Sequence, residues 1–112
     1  MLERKYRLTA DKDFTRIFRK GRRFFGAGVN LVMVPNKLAV SRFGFVVGTK
    51  VSKRATVRNL IKRRLREIVR LRIGGVRPGF DVALITDRKV LGLDYEGMTA
   101  VVVGLLGKAR LF

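Results

Sequence analysis

The feature that most narrows the possible folds is an uninterrupted run, residues 54 to 72, which holds no glycine or proline and is dominated by Arg, Leu, Ile and Lys. Such a run favours one long helix, and Gly74-Gly75 supplies a stop behind it. On a wheel turning about 100° per residue, Val57, Leu60, Ile61, Leu65, Ile68, Val69 and Leu71 gather on one side. Arg58, Lys62, Arg66 and Arg70 recur every fourth residue on another, flanked by Asn59 and Arg63. One face therefore belongs to a core and another carries charge of a single sign. Cations stacked one turn apart repel each other by roughly a few tenths of a kcal/mol per pair. Glu67, in reach of Arg63 or Arg70, offsets only part of this. A charged face of mixed sign is ordinarily just solvated, but a surplus of one sign on one face favours phosphate as its partner.

The rest of the chain supplies partners for that helix. Thr9 is the expected N-cap of a short amphipathic helix over residues 10 to 20, with Asp11 and Asp13 in its first turn. Phe14, Ile17 and Phe18 fall at i, i+3 and i+4, and Gly21 closes the helix as its C′ residue. Residues 24 to 34 read as one strand, bent or bulged at Gly26 and Gly28 and ended by Pro35-Asn36-Lys37. A second strand runs from about residue 42 to 48, and the short linker between the two predicts an antiparallel pair. Phe80–Thr86 is apolar and β-branched enough for a largely buried strand. Asp94 caps a last helix with Met98, Val101, Val102, Leu105 and Ala109 on one face. Gly97, Gly104 and Gly107 weaken that helix, and residues 98 to 106 would also suit a strand.

Composition decides which chemistry is open to such a chain. Its 112 residues suit one domain, residues 1–112. With 26 Lys and Arg against 8 Asp and Glu, the formal charge is +18, so a compact state repels itself and a dense polyanion relieves the strain. Arg outnumbers Lys, which suits phosphate, because a guanidinium fork can hold two oxygens. There is no Cys and no His. Disulfides, thiol nucleophiles, zinc clusters and the usual proton carrier near neutral pH are thereby excluded. The eight acids form no recognisable catalytic motif. The opening residues, Met1 to Tyr6, lack the apolar stretch of a secretory signal, and no apolar run is long enough to span a bilayer. A cytoplasmic protein with no small-molecule cofactor is the expectation, and the obvious polyanions for it are nucleic acid and an anionic membrane surface.

The stretch Arg58-Asn59-Leu60-Ile61-Lys62-Arg63-Arg64-Leu65-Arg66-Glu67 resembles the hallmark helix of bacterial ribonuclease P proteins, with its Arg-Asn-Arg, Ile-Lys-Arg and basic Leu-containing turn. Asp13 to Gly21 is similar to that family's first helix, with two phenylalanines four apart before a basic pair and glycine. Arg42-Phe43-Gly44-Phe45-Val46-Val47 resembles the strand that leads to the basic helix, and Pro78-Gly79-Phe80-Asp81-Val82 the start of the third strand. The resemblance runs in the family's order from about Tyr6 to Leu106. Two departures stand out. Leu60 occupies the place of the motif's second Arg, and residues 50 to 54 lack the glycine often found before the helix.

What the resemblance implies is specific. The fold would be α+β, a two-layer α-β-β-α-β-α sandwich with a left-handed β-α-β crossover, similar to a domain of certain ribosomal proteins. The protein would be the subunit of ribonuclease P that assists a catalytic RNA in removing the 5′ leader from precursor tRNA, with no catalytic side chain of its own. Its partners would be ribonuclease P RNA and precursor tRNA, with Mg²⁺ held mainly by RNA and substrate. Arg58, Asn59, Lys62, Arg63, Arg66 and Arg70 would bind RNA; Phe14, Phe18, Lys50 and Lys53 would line a cleft for the single-stranded leader. A base stacked on Phe gains about 1 to 3 kcal/mol with little sequence preference, which suits leaders of varied sequence. From residue types alone, Phe14 and Phe18 favour a core role, because aromatics at helical spacing normally bury against a sheet. The alternative function is a ribosomal or other structural RNA-binding protein. A DNA recognition helix is disfavoured by the breadth of the basic face and the lack of a preceding helix-turn-helix partner. A membrane-surface helix is disfavoured because the apolar face is needed for the core.

Overall fold

The computed structural model describes residues 2–112. The chain forms α1 (Asp11–Lys20), β1 (Arg22–Phe24), β2 (Val29–Pro35), β3 (Arg42–Val46), α2 (Ala55–Arg70), β4 (Phe80–Thr86) and α3 (Tyr95–Lys108), with short 3-10 turns at Arg4–Tyr6, Ile73–Gly75 and Arg88–Gly92. The α+β class is as expected, but the element count is higher by one strand. The expected strand over residues 24 to 34 is split into β1 and β2, which pair antiparallel as a hairpin. Gly28 explains the break. Its φ of +93° belongs to the left-handed region that glycine enters without strain, and a side chain there would collide with the backbone of Val90.

The sheet order is β1-β2-β4-β3, so the expected antiparallel pairing of the second and third strands does not occur. β4 lies between them, antiparallel to β2 and parallel to β3. The linker passes across the start of β4 instead of folding back, and the Asn36 N–H donates to the Gly79 carbonyl at 2.9 Å on the way. Skipping one strand requires about 10 Å at ~4.8 Å per spacing, which residues 36 to 41 span easily. β3, α2 and β4 form a β-α-β unit whose strands are adjacent and parallel.

Alternation along the strands divides the core in two. Val29, Leu31, Met33, Phe43, Val82 and Leu84 face Ile61, Leu65, Ile68 and Val69 of α2 and Met98, Val102, Leu105 and Leu106 of α3. Val32, Val34 and Ala83 point the other way and meet Ile17 of α1 together with Leu8. The sheet is thus the middle of three layers, with α1 on one face and α2 and α3 on the other, rather than half of a two-layer sandwich. Both faces of the central strands must be apolar, which explains why Phe80–Thr86 alternates poorly.

The helix ends differ from expectation in detail. Ala10, not Thr9, is the residue before α1, and no side chain caps it. Leu8 is held by its N–H to the Phe43 carbonyl at 2.8 Å, and the Ala10 carbonyl takes the first helical bonds from Asp13 and Phe14. Gly21 follows α1 in an extended conformation, its N–H donating to the Ile17 carbonyl. Residues 98 to 106 are helical, and Asp94 caps α3 by accepting from the Gly97 N–H at 2.7 Å.

Candidate nucleic-acid interface

The outer face of α2 follows from which of its residues the core consumes. Ile61, Leu65, Ile68 and Val69 are buried and Val57 partly so. Leu60 and Leu71, expected on the apolar side, are instead 39% and 59% exposed. Leu60 lies about 100° round the helix from Ile61, past the edge of the buried stripe, and Leu71 is beyond the last turn.

The cations on that face differ in what they touch. Asn59, Arg63 and Arg66 are exposed, while Arg58 and Lys62 lie half-buried at the rim of the core stripe. Arg58 Nη1 donates to the Ser52 carbonyl at 2.9 Å, which ties the head of α2 to the loop before it. No carboxylate lies within ion-pair distance of Arg58, Lys62, Arg63 or Arg66 among the described residues. Arg70 is different. It grips Glu67 with two bonds of 2.9 and 2.6 Å. That bond holds the Glu67 carboxyl below its usual range and raises the Arg70 guanidinium further. Of the row's four cations one is already neutralised, and the other three, with the flanking Arg63, remain free to meet an outside anion.

The aromatic pair sits on the opposite face of the sheet. Phe14 and Phe18 lie along α1 with ring centroids 6.3 Å apart and planes tilted by 32°. The Phe14 ring rests directly on Gly44 of β3, where any Cβ would overlap it, and beside Leu8. Phe14 is therefore half core, half surface, while Phe18 is 39% exposed. α1 covers only part of the sheet, and Val46 of β3 and Ile85 of β4 remain partly open on the same face. A trough with an aromatic wall and an apolar floor results.

Beyond the end of β3, residues 49 to 53 curl into an open hollow of about 530 Å³ lined by Thr49, Lys50, Ser52, Lys53 and Arg88. Lys50 and Lys53 are exposed, as a phosphate contact requires, and Arg88 joins them from the turn after β4. Sequence reasoning gave Arg88 no function. Only the parallel placing of β3 beside β4 brings its turn next to residues 49 to 53.

What fixes α1 over the sheet is a buried carboxylate that sequence reasoning also missed. Asp81, fully buried at the start of β4, accepts from Arg42 Nε at 2.9 Å, Arg42 Nη2 at 2.7 Å and Asn36 Nδ2 at 2.9 Å, and pairs with Arg16 of α1. Asp13 adds a second carboxylate 3.6 Å from Arg42. Burial alone would raise the Asp81 carboxyl, but the bonds from Arg42 and Asn36 and the charges of Arg42 and Arg16 together outweigh it and hold it below the ordinary value. One available signal was a lone Asp inside Phe-Asp-Val-Ala-Leu-Ile, since a buried charge needs partners.

The whole arrangement has close counterparts. A family model described as ribonuclease P matches residues 2–110. The ribonuclease P protein component of Syntrophomonas wolfei is 35% identical over 112 residues, covering 100% of this chain and 93% of that protein. The ribonuclease P protein of Thermotoga maritima superposes with a TM-score of 0.83 at 31% identity, covering 91% of this chain and 96% of that one. A Staphylococcus aureus ribonuclease P protein mutant with defective mRNA degradation activity superposes with a TM-score of 0.91 at 25% identity, covering 98% and 92%. With the match running through nearly every residue that builds the trough and the basic helix, the chain belongs to the family of bacterial ribonuclease P protein components.

Proposed function

We propose that this chain is the protein subunit of ribonuclease P, which binds a catalytic RNA and helps it remove the 5′ leader of precursor tRNA. The observation that carries the reading is the set of free cations on α2, Arg58, Lys62, Arg63 and Arg66, which no carboxylate among the described residues neutralises. Together with Asn59 they suit the backbone of the RNA subunit, exchanging condensed counterions for fixed contacts. Arg70 takes a subordinate place because Glu67 already holds it.

The trough on the other face suits the leader. Bases stacked on Phe14 and Phe18 would gain about 1 to 3 kcal/mol each whatever their identity, and Lys50, Lys53 and Arg88 stand where backbone phosphates could follow. Mature tRNA lacks the leader and forfeits these contacts, so the protein favours substrate over product.

The hydrolysis itself belongs to the RNA. The sequence has no His and no Cys, and the described residues contain no group of three or more acids able to enclose a metal ion. Mg²⁺ keeps several waters and is typically held by one or two carboxylates together with phosphate oxygens, which the RNA subunit and the substrate supply in abundance. The ion is therefore assigned to RNA phosphates and substrate, and no step is routed through the protein. A charge of +18 instead lowers the repulsion between two polyanions and so reduces the Mg²⁺ they need. No helix among the described residues is long and apolar enough to cross a membrane, and a cytoplasmic location is part of the same proposal.

Reconstitution with a bacterial ribonuclease P RNA at low Mg²⁺ tests the reading. Neither component alone should cleave precursor tRNA efficiently, and the mixture should. Phe14→Ala with Phe18→Ala, if circular dichroism shows an intact fold, should weaken binding of long-leader substrate by roughly tenfold or more relative to mature tRNA. Capture of ribosomal RNA in place of ribonuclease P RNA would overturn the assignment.

A further inference from the structure

At the sheet edge farthest from β3, a third group of cations converges without contributing to either surface described above. Arg22 and Phe24 of β1 and Lys108, Ala109 and Arg110 at the end of α3 line a hollow of about 330 Å³. The Arg22 guanidinium lies over the Phe24 ring with its central carbon 5.5 Å from the ring centre, and the residue as a whole stays exposed. Lys108 is exposed and donates to the Phe25 carbonyl at a long 3.4 Å. No carboxylate lies within ion-pair distance of Arg22, Lys108 or Arg110 among the described residues.

A helix C-terminus accepts cations for its own sake, and this accounts for Lys108 and in part for Arg110. It does not account for Arg22, which comes from a strand. The backbone at Arg110 points the same way. Its φ is +57°, a left-handed conformation that costs a non-glycine residue about 1 kcal/mol or more. Arg77 fixes it there, its backbone N–H donating to the Leu111 carbonyl at 2.7 Å and its Nη1 to the Arg110 carbonyl at 3.1 Å. Glycine or asparagine would serve this turn more cheaply, yet the position carries the third cation of the hollow.

We propose that this hollow binds a backbone phosphate of the RNA subunit, as an anchor separate from α2. The inference rests on the reading of the chain as an RNA-binding subunit. α3 packs beside α2 on the same face of the sheet, whereas the trough of Phe14 and Phe18 lies on the other. A leader held in the trough therefore runs along the wrong face, and the RNA docked on α2 is the polyanion that can extend across α3. α2 packs against β3, and Arg22 lies on β1 at the opposite edge of the sheet, three strand spacings or about 14 Å away at ~4.8 Å each. That exceeds the ~8 Å screening length of physiological salt, so their contributions to salt dependence should add.

The experiment measures binding of ribonuclease P RNA across a salt series for the full chain, an Arg22→Gln/Lys108→Gln/Arg110→Asn variant and an Arg58→Ala/Lys62→Ala variant. Asparagine is chosen at residue 110 because it tolerates the left-handed backbone. The first variant should bind several-fold more weakly, with a slope of log affinity against log salt shallower by about one. Combined with the α2 substitutions, the losses of slope should add. Arg22→Lys with Arg110→Lys, which keeps the charges, should restore the slope. Should the triple variant misfold by circular dichroism, Arg22→Gln alone decides, since its side chain is exposed on an edge strand. An unchanged slope in a folded variant overturns the proposal while the α2 variant still flattens it. Failure of the unmodified chain to bind this RNA at all overturns the underlying reading instead. If the assembled holoenzyme loses affinity for precursor tRNA while binding of the RNA subunit is intact, the phosphate belongs to the substrate and the assignment to the RNA subunit falls.

Discussion

Two sets of arginines, one at the start of β4 and one along α2, show the same side chain put to opposite uses. Arg16 and Arg42 converge on a carboxylate that has no contact with water. They join α1, β3 and β4 into one body. Arg58, Lys62, Arg63 and Arg66 meet no carboxylate among the described residues and stay available to an outside anion. In a chain with 26 cations and only 8 acids, the acids are the scarce component, and their positions decide which cations serve the fold. The difference teaches that role cannot be assigned from a cation's own identity; it is read from where the nearest carboxylate sits and how deeply it is buried.

The largest effect should come from removing the buried anion. Asp81→Ala leaves two guanidiniums and the Asn36 amide without their acceptor, at a cost of about 3 kcal/mol. The figure is at the low end for a buried pair because both arginines are partly exposed and can turn to water. Urea unfolding measures it, and a loss well under 1 kcal/mol would break the contrast. Acid probes the same group. Its folded value lies below the ordinary 3.8, so its contribution is fully present above pH 3.8 and is lost as pH falls through the lower folded value. Unfolding midpoints should accordingly drop below pH 3.8 more steeply in the unmodified chain than in Asp81→Asn.

A smaller effect on the fold and a clear one on binding should follow at α2. Arg58→Ala with Lys62→Ala should flatten the salt slope of RNA binding by about two while stability stays within roughly 1 kcal/mol. Titrations at several salt concentrations, paired with urea curves, would reveal a misassignment if stability fell and the slope did not. Least of all should change in Arg70→Ala, whose charge Glu67 already cancels. Its salt slope should match that of the unmodified chain, and a flattening as large as that of Arg58→Ala would show the Glu67 bond to be given up on binding.

How far the residues alone foretold this depends on whether the information was local. The run around α2, the apolar strand Phe80–Thr86 and the Asp94 cap all carry their reasons within a few neighbours, and each formed where the pattern placed it. The break at Gly28 was visible as a glycine but not as a chain reversal, because its cause is the approach of Val90. The pairing of β2 with β4 was hidden for the same kind of reason. A short linker suggests a hairpin, and only the long-range claim of Asp81 on Arg42 and Asn36 favours inserting β4. Among candidate site residues, the basic row and the two phenylalanines announced themselves by spacing, whereas Arg88 required the sheet order to bring it near Lys50 and Lys53.

The place of β4 in the sheet has a consequence for biosynthesis. It is the partner of both β2 and β3, yet it is the last strand to be translated. Until Phe80–Thr86 leaves the ribosome, β2 lacks its main neighbour, β3 has none among the sheet strands, and neither hydrophobic cluster can close. A nascent chain of this kind emerges as a highly cationic, unstructured polymer beside ribosomal RNA. Folding is then a late, concerted event, and interruption of translation before residue 80 would release a sticky polycation in place of a partly formed domain.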